Sequence, residues 1–135
     1  MTDRQRAFIS AVVYVVKNNK FRSYHSAGVK RLPDGAVMYE FSGEWQKNSI
    51  SVRDDKHNRA VDSDFFENPW GVKFRWQGSL RTVYLKLIIP KDGSSFYGQD
   101  GDYFRFDGTY YSPSNIVEIR DQSQDKYKYV YRINW

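Results

Sequence analysis

The sequence predicts an α+β chain that is mainly β, with one N-terminal helix packed on a bent antiparallel sheet or a small open barrel. Three observations carry this prediction. The first residues have the capping and apolar spacing of a helix. After Lys20 the texture changes to short alternating runs broken by turn residues every 8 to 15 positions. The chain has 135 residues and no cysteine, the usual size of one domain and enough to bury a core without disulfide staples. We read residues 1–135 as a single domain.

The helix prediction rests on "MTDRQRAFISAVVYVVKNNK". Thr2 and Gln5 have capping-box spacing, Phe8, Val12, Val15 and Val16 share one helical face with Ala7 and Ala11 beside them, and "KNN" supplies a stop. The β-branched "VVYVV" competes for a strand, but the cap tips the balance. The apolar run from Ala7 to Val16 is far shorter than the roughly 20 residues that cross a bilayer, its flank is mixed in charge, and no small-residue cleavage site follows. A cytoplasmic chain without membrane contact is the expectation.

The expected strands are "KFRSYHS", "AVMYEF", "NSISV", "GVKFRW", "RTVYLKLII", "DYFRF", "TYYS", "NIVEI" and "KYKYVYRINW". Between them stand "LPDG", "ENPWG", "QGS", "PKDGSS", "GQDGD", "FDGT" and "DQSQDK", rich in residues that tolerate turn dihedrals. The polar segment 53–69 reads as a mobile loop or short helix.

Two hairpins can be given a register. A Gly-first turn at Gly78-Ser79 pairs Gln77 with Leu80 and sets Lys73 opposite Tyr84. Val72, Phe74, Trp76, Val83, Leu85, Leu87 and Ile89 then collect on one face, and Lys73, Arg75, Thr82, Tyr84 and Lys86 on the other. Asp107-Gly108 has the signature of a second tight turn, which places Tyr103, Arg105 and Tyr110 on one face and Phe104, Phe106 and Tyr111 on the other. In the last strand Tyr127, Tyr129, Tyr131, Ile133 and Trp135 alternate with Lys128, Val130, Arg132 and Asn134.

Three strand regions thus offer cations among tyrosines on a solvent side. Any antiparallel sheet has a polar outer face, and Lys and Arg protect strand edges from aggregation. The sharper reading is a surface that grips phosphates and stacks on bases. The 71–89 hairpin favours the sharper reading, because no acid stands between Glu67 and Asp92 to intersperse its like charges.

The net charge of +5 is unevenly spread. Residues 1–91 hold 16 Lys or Arg against 9 Asp or Glu, residues 92–125 hold 2 against 7, and residues 126–135 hold 3 against none. The leading expectation is non-catalytic binding of a polyanion, nucleic acid first, through Lys73, Arg75, Tyr84, Lys86, Arg105, Tyr110, Lys128 and Arg132. The alternative is an adaptor or inhibitor that binds a protein or a small nucleotide-like ligand, of the kind a phage or mobile element directs at a host protein, with the acidic stretch facing a basic partner.

Recognisable enzyme signatures are missing: there is no P-loop, dinucleotide fingerprint, nucleophile elbow or Cys. His25 and His57 are the two histidines, and together they define a third reading, an RNase-like acid/base pair, although nothing in the sequence brings them together. Asp100, Asp102 and Asp107 lack the calcium-loop spacing and its distal Glu, so neither a metal nor a cofactor is expected.

The stretch "FDGTYYSPSNIVEI" resembles the closing segment of SH3-type barrels, a Gly-containing hairpin followed by a Pro-Ser-Asn turn and an aliphatic strand. That resemblance implies a small barrel, with Pro113 and Asn115 at the positions that help form a peptide groove. It covers about a tenth of the chain.

Overall fold

The computed structural model describes residues 1–54, 59–66, 70–78, 81–123 and 128–135, with 59–66 and 70 placed by their backbone pairing. Helix α1 spans Asp3–Asn18 and begins as the capping residues require. Thr2 Oγ1 accepts from the Gln5 N–H at 3.1 Å and the Gln5 side chain accepts from the Thr2 N–H at 2.9 Å, so two orphan donors are satisfied reciprocally. Asn19 closes the helix in the left-handed region with φ 51°.

Ten strands follow: β1 Arg22–Leu32, β2 Met38–Gln46, β3 Ser49–Asp54, β4 Arg59–Phe66, β5 Trp70–Gln77, β6 Thr82–Ile89, β7 Ser95–Gln99, β8 Arg105–Tyr111, β9 Ile116–Asp121 and β10 Lys128–Asn134. Each pairs antiparallel with the next, and β10 returns to β1 through Gly28↔Asn134 to Leu32↔Val130. The expected class, one N-terminal helix with a strongly bent antiparallel sheet, is what the chain forms. The bending goes to completion, and the sheet closes.

The helix occupies the lumen. Every residue from Gln5 to Val15 is buried, whereas a helix lying on one sheet keeps a wet face. Phe8 meets Phe41 of β2 and Phe74 of β5 edge-on. Tyr14 meets Tyr110 of β8, and Arg6 reaches Asp121 of β9 and Tyr131 of β10. These partners lie on different walls of the ring. An eight-stranded barrel is just filled by its own side chains, so ten strands leave space that the helix fills.

One end of the lumen is ionic. Arg6 donates to Asp121 Oδ2 at 2.9 Å, and Asp3 accepts from the hydroxyls of Tyr131 at 2.6 Å and Tyr39 at 2.5 Å. Arg4 pairs with Asp54 at 2.9 Å. Burial pushes the Asp3 carboxyl up, but the two tyrosine hydroxyls, Arg31 and Arg6 outweigh it and hold the group below its ordinary value. Burial likewise raises Asp121, and its bonds from Ser123, the Met1 ammonium and Arg6 bring it below normal. Burial and the bond to Asp3 push the Tyr39 hydroxyl up to about 12 and raise that of Tyr131 as well.

The signs fix the pH behaviour. Carboxylates with lowered pKa contribute stability that is present above the ordinary value of 3.8 and lost as pH falls through their folded values. Tyrosines with raised pKa contribute stability that is present below 10.0 and lost as pH rises toward 12. We therefore expect the melting temperature to be flat near neutrality and to fall on both sides, below about pH 4 and above about pH 10. A thermal melt series across that range checks it; a melting temperature that holds between pH 10 and 12 would contradict the tyrosine arm.

Several local expectations are corrected. In the 71–89 hairpin Gln77 pairs with Thr82 and Trp76 with Val83, and Gly78 N–H donates to Arg81 O at 3.1 Å. The ladder therefore continues through Gly78 and Arg81, which excludes the Gly78-Ser79 register; Ser79 and Leu80 lie outside the described residues. The shift is by two positions, so both faces keep their members. The cross-strand partners change: Lys73 faces Lys86, and Arg75 faces Tyr84.

Asp107-Gly108 is not a turn, since β8 runs straight through it. Phe106, Gly108 and Tyr110 point inward, and Arg105, Asp107 and Tyr111 point outward. Gly108 serves close packing. It stands opposite Phe96 of β7, while Gly98 stands opposite Phe106, so each ring lies against the glycine across the ladder.

Segment 53–69 contains β4 in place of a loop or helix, and a bulge between Val61 and Asp64 breaks the alternation that would have shown it. β7 lies where "PKDGSS" and "GQDGD" read as turns, because a five-residue strand with a glycine at its fourth position carries little signal. The SH3-like stretch forms β8, a turn and β9 of a ten-stranded ring, a larger barrel than the resemblance implied. Asn115, at φ 58°, accepts from Ile133 N–H through its carbonyl at 2.9 Å, and its side chain accepts from the Tyr110 hydroxyl at 3.4 Å.

Candidate nucleic-acid interface

Closing the sheet turns the alternation of each strand into an inside and an outside. Outward residues of adjacent strands form rows that can be read from the register. One row runs Lys73, Lys86, Gln99, Arg105 across β5 to β8, and the Gln122 N–H donates to the Arg105 carbonyl at its far end. The next row runs Ile88, Tyr97, Asp107, Arg120, Lys128. Strands lie about 4.8 Å apart, so Lys86 and Arg105 stand two spacings from each other.

Two clefts open on this face. One, of about 630 Å³, is lined by Lys86, Tyr97, Gln99, Arg105, Asp107 and Arg120 among others. Its neighbour, of about 480 Å³, is lined by Lys73, Tyr84, Lys86, Gln99 and Tyr103 among others. Lys86 and Gln99 belong to both, so the clefts adjoin. Tyr84 is 52 % exposed, Tyr97 47 % and Tyr103 83 %.

The cations on this face differ in how far they are neutralised. Arg120 Nε donates to Asp107 at 2.9 Å, Lys128 lies 3.5 Å from Glu118, and Arg81 lies 3.2 Å from Asp102. Lys73 Nζ sits 4.8 Å from the centroid of the Tyr84 ring. Among the described residues Lys73, Lys86 and Arg105 form no ion pair. These three cations are available to an anionic ligand. Asp64 of β4 is in backbone register with Lys73 on its other side.

Of the eight residues expected from sequence, Lys73, Tyr84, Lys86 and Arg105 converge here, with Arg75 beside Tyr84 on the same outer face. Lys128 stands at the rim, next to Arg120. Arg132 is outward on β10, in register with Lys30 and Ile116, and lies outside both clefts. Tyr110 is corrected: it is 6 % exposed inside the barrel, where its hydroxyl accepts from Asn18 at 2.9 Å. Reading Asp107-Gly108 as a turn had inverted its face.

Tyr97, Gln99, Tyr103 and Arg120 were missed. Tyr97 and Gln99 belong to the unrecognised β7, and the ladder partners of Arg120 were invisible without the ring. Tyr103 lies in a loop whose shape rests on a buried carboxylate. Asp100 Oδ1 accepts from the N–H groups of Asp102 at 2.9 Å and Phe104 at 3.0 Å, and this turn holds Tyr103 in the left-handed region at φ 67°.

The histidines do not make an acid/base pair in what is described. His25 packs against Trp135 with ring centroids 4.0 Å apart and the rings tilted by 35°, and it donates to the Trp135 carbonyl at 2.9 Å, while His57 lies outside the described residues. Asp100, Asp102 and Asp107 each bond a different group, and among the described residues no three His, Cys, Asp or Glu side chains converge as metal ligands. No helix among the described residues is long and apolar enough to cross a membrane.

No family model, no curated protein and no solved structure matches this chain.

Proposed function

We propose that the protein is a non-catalytic binding protein for a polyanion, nucleic acid first, and that the outer face of β5 to β9 is its binding surface. The observation that carries this reading is the pairing of Lys73 with Lys86 directly across the ladder, with Arg105 two strands on and exposed tyrosines around them. Asp64 is in register with Lys73 alone, whereas the ladder neighbours of Lys86 are Lys73 and Gln99 and that of Arg105 on β7 is Gln99, so no acid stands beside Lys86 or Arg105. Like charges opposite each other cost stability. An anion placed between them reverses the sign of that term. A cytoplasmic location goes with this reading, since nucleic acid is found there.

Salt dependence tests the reading. Each phosphate neutralised by Lys or Arg releases condensed counterion, so three contacts predict a log–log slope of about −2 to −3. Binding of mixed-sequence oligonucleotide, titrated from about 50 to 200 mM salt, should weaken by roughly 15- to 60-fold. Tight binding with a flat salt response would point instead to the adaptor reading, with a protein or small-ligand partner.

A further inference from the structure

We infer that the face takes single-stranded rather than duplex nucleic acid, with bases stacked on Tyr84, Tyr97 and Tyr103 while phosphates meet Lys73, Lys86 and Arg105. This rests on the polyanion reading and goes beyond it by naming the form of the ligand.

Three features favour a single strand. The exposed rings come first. In a duplex every base is already stacked on its neighbours and presents only its edge, so a protein tyrosine meets sugar and phosphate; an unpaired base offers its π-face. Tyr84 and Tyr103 line one cleft and Tyr97 the other, each within the same arc of sheet as the available cations. Tyr103 is held out by a left-handed backbone that a tyrosine adopts only when its surroundings impose it, here the turn wound on Asp100.

Charge distribution comes second. The acids Asp102, Asp107 and Glu118 border or line the face, each beside a cation. A rigid duplex carries phosphate every 1.7 Å along its axis and would press some of them against these carboxylates. A flexible strand can route its few phosphates past them to Lys73, Lys86 and Arg105.

The third feature is the side-chain amide of Gln99, which lines both clefts beside the cations. An amide carries a donor and an acceptor, so it can meet the edge of any unpaired base without selecting one.

The test measures the anisotropy of labelled probes on the full chain. The probes are a mixed-sequence single strand in deoxy and ribo form, the matching duplex, and heparin as a polyanion without bases. The single strand should bind at least tenfold more tightly than the duplex. Tyr84→Ala, Tyr97→Ala and Tyr103→Ala should each lower single-strand affinity by about tenfold, the scale of one lost base–aromatic stack. The corresponding Phe variants should retain it, and heparin binding should move less than twofold. Tyr24→Ala, on an exposed tyrosine of β1 on the opposite side of the ring, is the control for general surface effects.

Equal affinity for duplex and single strand, or Ala variants that bind the strand normally, would overturn this inference and leave the polyanion reading standing. No binding to any probe, heparin included, would overturn both.

Discussion

Gly108→Val is expected to abolish the native fold or to destabilise it by roughly 3 kcal/mol or more, the upper range of overpacking a core. A Cβ at this position would stand 2.1 Å from the Glu118 carbonyl oxygen and 2.3 Å from Cζ of Phe96. The first neighbour is backbone in the β8–β9 ladder, and the second is a fully buried ring. Neither can retreat without breaking strand pairing or displacing its own neighbours. Gly28→Ala is the natural contrast, since its new methyl would meet Asn134 Cβ at 3.5 Å, an ordinary contact. It should be neutral or slightly stabilising, by about 0.5 kcal/mol, through a less flexible unfolded chain. Chemical denaturation of the two variants separates them. A Gly108→Val protein that unfolds at the parent midpoint would show that β7 and β8 do not pack as described.

The same glycine shows where sequence reading succeeds and where it stops. Capping is local: Thr2, Gln5 and Asn19 need only their own neighbours, and the helix ends were legible from them. The inward set of β5 and β6 was also legible, because a period of two survives an error of two in register. The partners across the ladder do not survive it, so Lys73 was assigned to Tyr84 when Lys86 is its neighbour. Asp107-Gly108 has the local chemistry of a turn, and only the ring of Phe96 on the preceding strand explains a glycine in mid-strand. The burial of Arg6, Ser10 and Gln5 was likewise illegible, because a helix enclosed by a barrel has no solvent side for its polar residues. The candidate face was half legible for the same reason: Lys73, Tyr84 and Lys86 share one hairpin, whereas Tyr97, Gln99 and Tyr103 join them only once the strands are placed in order.

Lys73→Glu combined with Lys86→Glu is expected to lower affinity for a single-stranded oligonucleotide on the order of 100-fold and to leave the fold intact. The two side chains are outward and face each other on β5 and β6. Replacing one like-charge pair by another leaves their mutual repulsion in place; losing the Lys73–Tyr84 ring contact and setting a like charge in register with Asp64 adds a cost on the scale of an ordinary exposed substitution, about 0.5 kcal/mol. Toward a ligand the change is far larger, because two attractive contacts become two repulsive ones. Lowering the net charge of +5 would itself weaken binding to any polyanion, so the comparison must hold it constant. Lys30→Glu with Lys47→Glu does so, reversing two cations on β1 and in the turn between β2 and β3, away from the proposed binding face.

The affinity ratio between these two double variants, measured on one oligonucleotide at one salt concentration, is the most direct test of a binding face on β5 to β9. We predict that the Lys73/Lys86 variant binds at least tenfold more weakly than the Lys30/Lys47 variant while both melt like the parent. Equal affinities in two folded proteins would contradict the account and place the binding surface elsewhere on the barrel.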